Sequence, residues 1–177
     1  MDILLTVIAL LSLLSFLLKG SFHPRWGVVL AAFALALTAG LSVPWLTRQS
    51  PAAFAAWTSS PGHLLDGAVC VVLEVLIMAA FCFSRVAEHW RILRFYPGLL
   101  AFPAVVWTWA QVLYARPGVN FSLLAWLAAA LTLAVAWGGP VLLRRLLPDE
   151  SSRLEALFLI NLFLLLLTVA ATGAITF

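Results

Sequence analysis

Glu74 stands in the middle of a long apolar stretch, residues 64–84, and is the side chain here best placed to do chemistry. A carboxyl at the midplane of a bilayer costs several kcal/mol if charged and unpaired. Intramembrane acids therefore usually face a bundle interior and serve function. No Lys or Arg falls inside any apolar stretch of the chain. The expected counter-ion of Glu74 is then a proton, a bound cation or a substrate amine. The competing reading is a protonated glutamate, hydrogen-bonded to a neighbouring helix purely for assembly.

Asp66, Cys70, Glu74, Met78 and Cys82 recur every four residues. On a helix each such step advances about 400°, so the stripe winds slowly around the axis. Asp66 and Glu74 would lie about 12 Å apart along that axis, a geometry able to relay a cation or proton inward. Asp66 taken alone reads as a first-turn acid favoured by the helix dipole. Two further ion- or substrate-binding candidates, Thr108 and Asn161, fall at similar depth on other stretches, and Gln111 with Trp107 and Trp109 is a candidate to line the same cavity. Asn161 interrupts a Leu/Ile/Phe run and heads a line with Thr168, Thr172 and Thr176. An intramembrane Asn is commonly helix–helix glue worth about 1 kcal/mol.

Residues 84–94 form the densest charged segment. Arg85, Glu88, His89, Arg91 and Arg94 are candidates for contacting a lipid headgroup, with His89 able to titrate near neutrality. The plainer account is that arginine there sets topology while Trp90 anchors at the interface. His63 and His89 would stand about 39 Å apart on one helix axis, which excludes their pairing as haem ligands. No H-E-x-x-H, G-x-S-x-G or C-x-x-C pattern occurs. Neither a cofactor nor a metal is expected.

The elements that must position these residues are membrane helices. Hydrophobic residues make up 64% of the 177 and charged residues only 10%, where a soluble domain carries about a quarter charged. Six apolar stretches, at about 3–18, 26–43, 64–84, 96–114, 121–143 and 154–177, are joined by five short loops. Eight of the ten Lys/Arg lie in the odd-numbered loops: Lys19, Arg25, Arg85, Arg91, Arg94, Arg144, Arg145 and Arg153. Because topogenic Lys and Arg remain cytoplasmic, the expectation is one all-α transmembrane domain over residues 1–177. It is a polytopic bundle of six spans with both termini on the non-cytoplasmic side, in a bacterial inner (plasma) membrane. The formal charge of +3 then faces anionic lipid and is no nucleic-acid footprint, since no basic run exceeds Arg144-Arg145. Span 1 lacks a basic leader and carries Asp2 before its apolar run, so it reads as retained rather than as a signal peptide.

Smaller signals refine this frame. Span 1 is Leu-rich and nearly featureless, suited to a broad lipid-facing surface. Ala32, Ala36 and Gly40 on span 2, and Ala130, Ala134 and Gly138 on span 5, form small-residue stripes that let helices approach closely. Residues 51–57 suit an interfacial helix, with a lid over an outward cavity as the alternative. Pro97 fits the first turn of span 4, and Pro103 is expected to bend it. Asn120 reads as a helix N-cap, and Ser152-Arg153-Leu154-Glu155 has capping-box form.

Three function classes are compatible with these features. A non-catalytic membrane subunit or scaffold, packed against other subunits or copies of itself in the bilayer, accounts for the minimal loops and missing catalytic groups. A small proton- or cation-coupled transporter, or ion-translocating subunit, explains the midplane Glu74 better. A lipid-modifying enzyme worked from the inner face around His89 needs more converging polar residues than the chain offers. The first is favoured, and enzyme activity is not expected.

Overall fold

The computed structural model describes residues 2–83, 96–116, 118 and 120–173. Seven helices are found among them: α1 (Asp2–Gly20), α2 (Arg25–Leu46), α3 (Pro51–Thr58), α4 (Pro61–Phe83), α5 (Ala101–Ala115), α6 (Phe121–Leu146) and α7 (Glu150–Gly173). No strand occurs among the described residues. Helices α1, α2, α4, α6 and α7 are each long and apolar enough to cross a bilayer, consistent with an integral helical membrane bundle. Leu, Val, Phe and Trp are widely exposed on their outer faces, as a lipid-facing surface requires.

Helix α1 is the hub and packs against α5, α6 and α7. Its leucine-rich sequence gave no hint of this, because leucine suits a lipid face and a bundle centre equally. In its last turns and the turn that follows, Ser15, Phe16 and residues 18–23 are all buried. The helix also carries a buried polar stripe of Ser12, Ser15 and Lys19. Where α1 crosses α6 the backbones meet closely. A Cβ on Gly20 would stand 2.9 Å from the Pro140 ring, and one on Gly139 2.8 Å from Leu17.

The most extensive pairing joins α2 and α6. On α2 the small stripe faces the partner: Ala32, Ala36 and Ala39 are buried, and a Cβ on Gly40 would meet Ala129 at 3.3 Å. On α6 the packing face is Leu124, Ala128, Thr132, Ala136 and Pro140. It is not the expected stripe, since Ala130 and Ala134 are exposed and Gly138 has nothing within 4 Å. Alanines are so frequent on α6 that two faces carry a four-residue repeat, and only packing selects between them. Helix α4 sits on the far side, packed on α7, around Leu18, Phe22, Met78, Phe81 and Leu157.

Local sequence explains the ends. Ser50 caps α3, accepting the Ala53 amide at 3.1 Å, with Pro51 in the first turn. The buried Phe54 of α3 stacks on Trp107 and Tyr114 of α5, with ring centroids 5.8 and 5.7 Å apart. Asn120 caps α6, its Oδ1 accepting the Ser122 and Leu123 amides at 3.0 and 3.5 Å. Helix α7 already starts at Glu150, so Ser152 lies inside the first turn instead of capping it. Pro44, placed by sequence in a loop, lies inside α2.

Helix α5 departs most from expectation. It begins at Ala101, five residues beyond the expected start of the fourth span, and its 15 residues extend about 22 Å. Pro97 precedes the helix in a non-helical stretch. Pro103 is its third residue, in the first turn, where a missing N–H leaves no helical bond unmade. Proline therefore marks a start here rather than a bend.

Candidate functional site

The site forms where α5 begins. The approach Tyr96-Pro97-Gly98-Leu99-Leu100 contains no Ser, Thr, Asp or Asn to cap the helix, and the N-cap Leu100 receives no side-chain hydrogen bond. The free amides are served from another helix. Glu74 of α4 accepts the Leu99 amide at 3.0 Å through Oε2, and the Leu100 amide lies close enough to favour a carboxylate there. The Tyr96 hydroxyl donates to the same Oε2. A carboxylate at a helix N-terminus is favoured both by these donors and by the helix dipole.

Gly98 makes the cradle possible. Its φ of +94° is one that residues with a Cβ seldom adopt. A Cβ at that position would also stand 3.1 Å from Glu74 Oε1 and 3.4 Å from Met78 Cε. Backbone conformation and lack of a side chain thus serve the same contact.

A cation completes the cluster. Lys19, assigned by sequence to the first inner loop, lies in the last turn of α1 and is 0% exposed. Its ammonium packs over the Phe81 ring of α4, a cation–π contact, and lies within electrostatic reach of Glu74. The expectation that the counter-ion of Glu74 is a proton, a bound cation or a substrate amine is therefore corrected: a lysine of the chain itself stands near it. Sequence reasoning missed Lys19 because it stands at a helix end, where lysine ordinarily extends to the interface. Its closeness to Glu74 depends on the α1–α4 arrangement.

The remaining candidates do not converge on this point. Asp66 is 84% exposed and lies 3.9 Å from the imidazole of His63, one turn away on α4. Cys70 is exposed as well, whereas Glu74, 4% exposed, and Met78 face inward. The four-residue stripe thus leaves the outer surface and turns into the bundle as it descends. Thr108 donates to the Ala104 carbonyl of its own helix at 2.8 Å. It lines a small apolar cavity of about 170 Å³ whose wall includes Trp109 and Thr132, joined by a 3.1 Å hydrogen bond. Gln111 is exposed and lines a different groove, between α5 and α6. Asn161 Nδ2 donates to Ser15 Oγ at 2.9 Å and to the Leu157 carbonyl at 2.7 Å, tying α7 to the hub. Thr168 and Thr172 bond back to their own helix. Arg85, Glu88, His89, Arg91 and Arg94 lie outside the described residues.

Chemically, the Glu74 cluster can hold a helix start in place and can pass a proton between carboxyl and phenol. Glu74 Oε2 accepts from donors of the chain itself. No family model matches the chain, and no curated protein or solved structure matches it either.

Proposed function

We propose that this protein is a non-catalytic, membrane-embedded subunit or scaffold of a larger membrane complex. In this reading it crosses the bilayer six times, with the odd-numbered loops inside and both termini outside. The fourth crossing is completed by the non-helical approach to α5. One observation carries the reading: the buried acid Glu74 is engaged in capping α5, with a buried lysine beside it. That use accounts for Glu74 without a substrate. The hub role of α1 and the broad apolar outer faces fit a body built to pack among other helices in lipid.

Native purification in a gentle detergent tests it. Membrane partners should co-purify at fixed stoichiometry with tags at either terminus, and Glu74→Gln should retain them. A monomer or homodimer without partners under both tags would overturn the assignment.

The interrupted start of α5 favours a second reading, a small proton- or cation-coupled transporter. Carriers build midplane sites from discontinuous helices whose ends face ions and charged groups, and Lys19 with Glu74 stands at such an end. Proton-coupled uptake in proteoliposomes that is lost in Glu74→Gln, with assembly intact, would establish this alternative.

A further inference from the structure

Three arginines converge on a groove at the end of the α2–α6 pair. Arg25 opens α2, and Arg144 and Arg145 close α6. They line one end of a cleft of about 530 Å³. The rest of its wall is apolar, made by Val28 and Val29 of α2 and Trp137 and Val141 of α6. Val29, Trp137 and Val141 are substantially exposed along it. From Arg145 to Trp137 is eight residues, about 12 Å along the helix axis. The groove therefore has a cationic head and an apolar body aligned with the helices.

The positive-inside tendency accounts for arginines at this end but does not require that they converge. Arg144 is fixed in place: Nε donates to the Ser21 carbonyl and Nη2 to the His23 carbonyl, both at 2.7 Å. Arg25 and Arg153 lie within electrostatic reach of it. Among the described residues, Arg25, Arg144 and Arg145 have no carboxylate at ion-pair distance. The first turn of α2 adds amides with no side-chain cap and no acidic residue, so its dipole also favours an anion. Like charges held together without an acid call for an anionic counterpart, and the apolar body calls for one bearing hydrocarbon.

We propose that the α2–α6 groove binds one anionic phospholipid, its phosphate on Arg25, Arg144 and Arg145 and an acyl chain along Val29, Trp137 and Val141. Charge complementarity and the head-to-tail layout commit the site to lipid rather than to a free anion. Each arginine near an anionic headgroup is worth about fivefold in binding.

The test uses the full chain and brominated lipids, which quench tryptophan on contact. The signal of Trp137 is taken as the difference between the chain and its Trp137→Phe variant. Brominated phosphatidylglycerol should quench Trp137 in preference to brominated phosphatidylcholine. The exposed pair Arg25→Gln/Arg145→Gln should lower that preference by about tenfold or more. Arg48→Gln/Arg116→Gln, at the opposite end, should leave it unchanged. Equal quenching by the two lipids would overturn the proposal, as would equal loss in both double variants. Displacement of phosphatidylglycerol by millimolar inorganic phosphate alone would also overturn it, by showing a free-anion site.

Discussion

At the scale of single residues, Glu74 and Gly98 depend on each other. The carboxylate stands in for a cap that the local sequence lacks, and it fits because residue 98 has no side chain and a φ of +94°. Glu74→Ala leaves the Leu99 amide and the Tyr96 hydroxyl without this acceptor, and the Lys19 ammonium without a carboxylate nearby. Removing one partner from a buried polar set should cost about 3 kcal/mol. Glu74→Gln keeps an acceptor and should cost about 1 kcal/mol. Gly98→Ala should cost about 1–2 kcal/mol from backbone strain alone. Thermal unfolding in detergent should rank these variants Gln, then Ala at 98, then Ala at 74, from mildest to most severe. Equal unfolding temperatures for Glu74→Ala and the parent would remove the cap from the account.

At the scale of elements, backbone proximity distinguishes glycines that look alike in sequence. Gly20 lies against the rigid ring of Pro140 at the α1–α6 crossing, whereas Gly138 has open space. Gly20→Ala forces a stiff neighbour to move and should destabilise by about 1–3 kcal/mol. Gly138→Ala meets nothing and should be neutral or stabilising by up to about 1 kcal/mol, because alanine is the better helix former. Unfolding midpoints of the two variants check this. A larger loss at Gly138 would place the α1–α6 contact elsewhere. The hydrogen bond from Asn161 to Ser15 belongs to the same scale, joining α7 to the hub.

At the scale of the whole molecule, the proposed topology places both termini on one side and the charged end of the α2–α6 pair on the other. A side-specific reporter fused after Phe177 should read non-cytoplasmic, and one inserted at 148–149 should read cytoplasmic. A cytoplasmic reading at Phe177 would remove the six-crossing arrangement and the depth assigned to Glu74 with it. The capping of α5 by Glu74 would be untouched, because it is a contact between side chain and backbone.

The sequence by itself determined the class of structure. Long apolar runs with few charges can satisfy their backbone only as helices in lipid, and such runs are read directly from composition. The cap at Asn120 and a helix over residues 51–57 were legible too, because each rests on residues a few positions apart. Glu74 could be singled out, since an acid in hydrocarbon is conspicuous whatever surrounds it. Its partners could not. Lys19, Tyr96 and the amides of Leu99 and Leu100 reach it from 55 residues before to 26 after, and no local pattern encodes that meeting. Tertiary structure alone decided that α1 is the hub, which of two alanine faces of α6 packs, and that Arg25 joins Arg144 and Arg145 in one groove. In a chain so uniformly apolar every helix face is fit to meet lipid. The choice of which faces meet each other rests on small residues and backbone proximity, which hydropathy does not record.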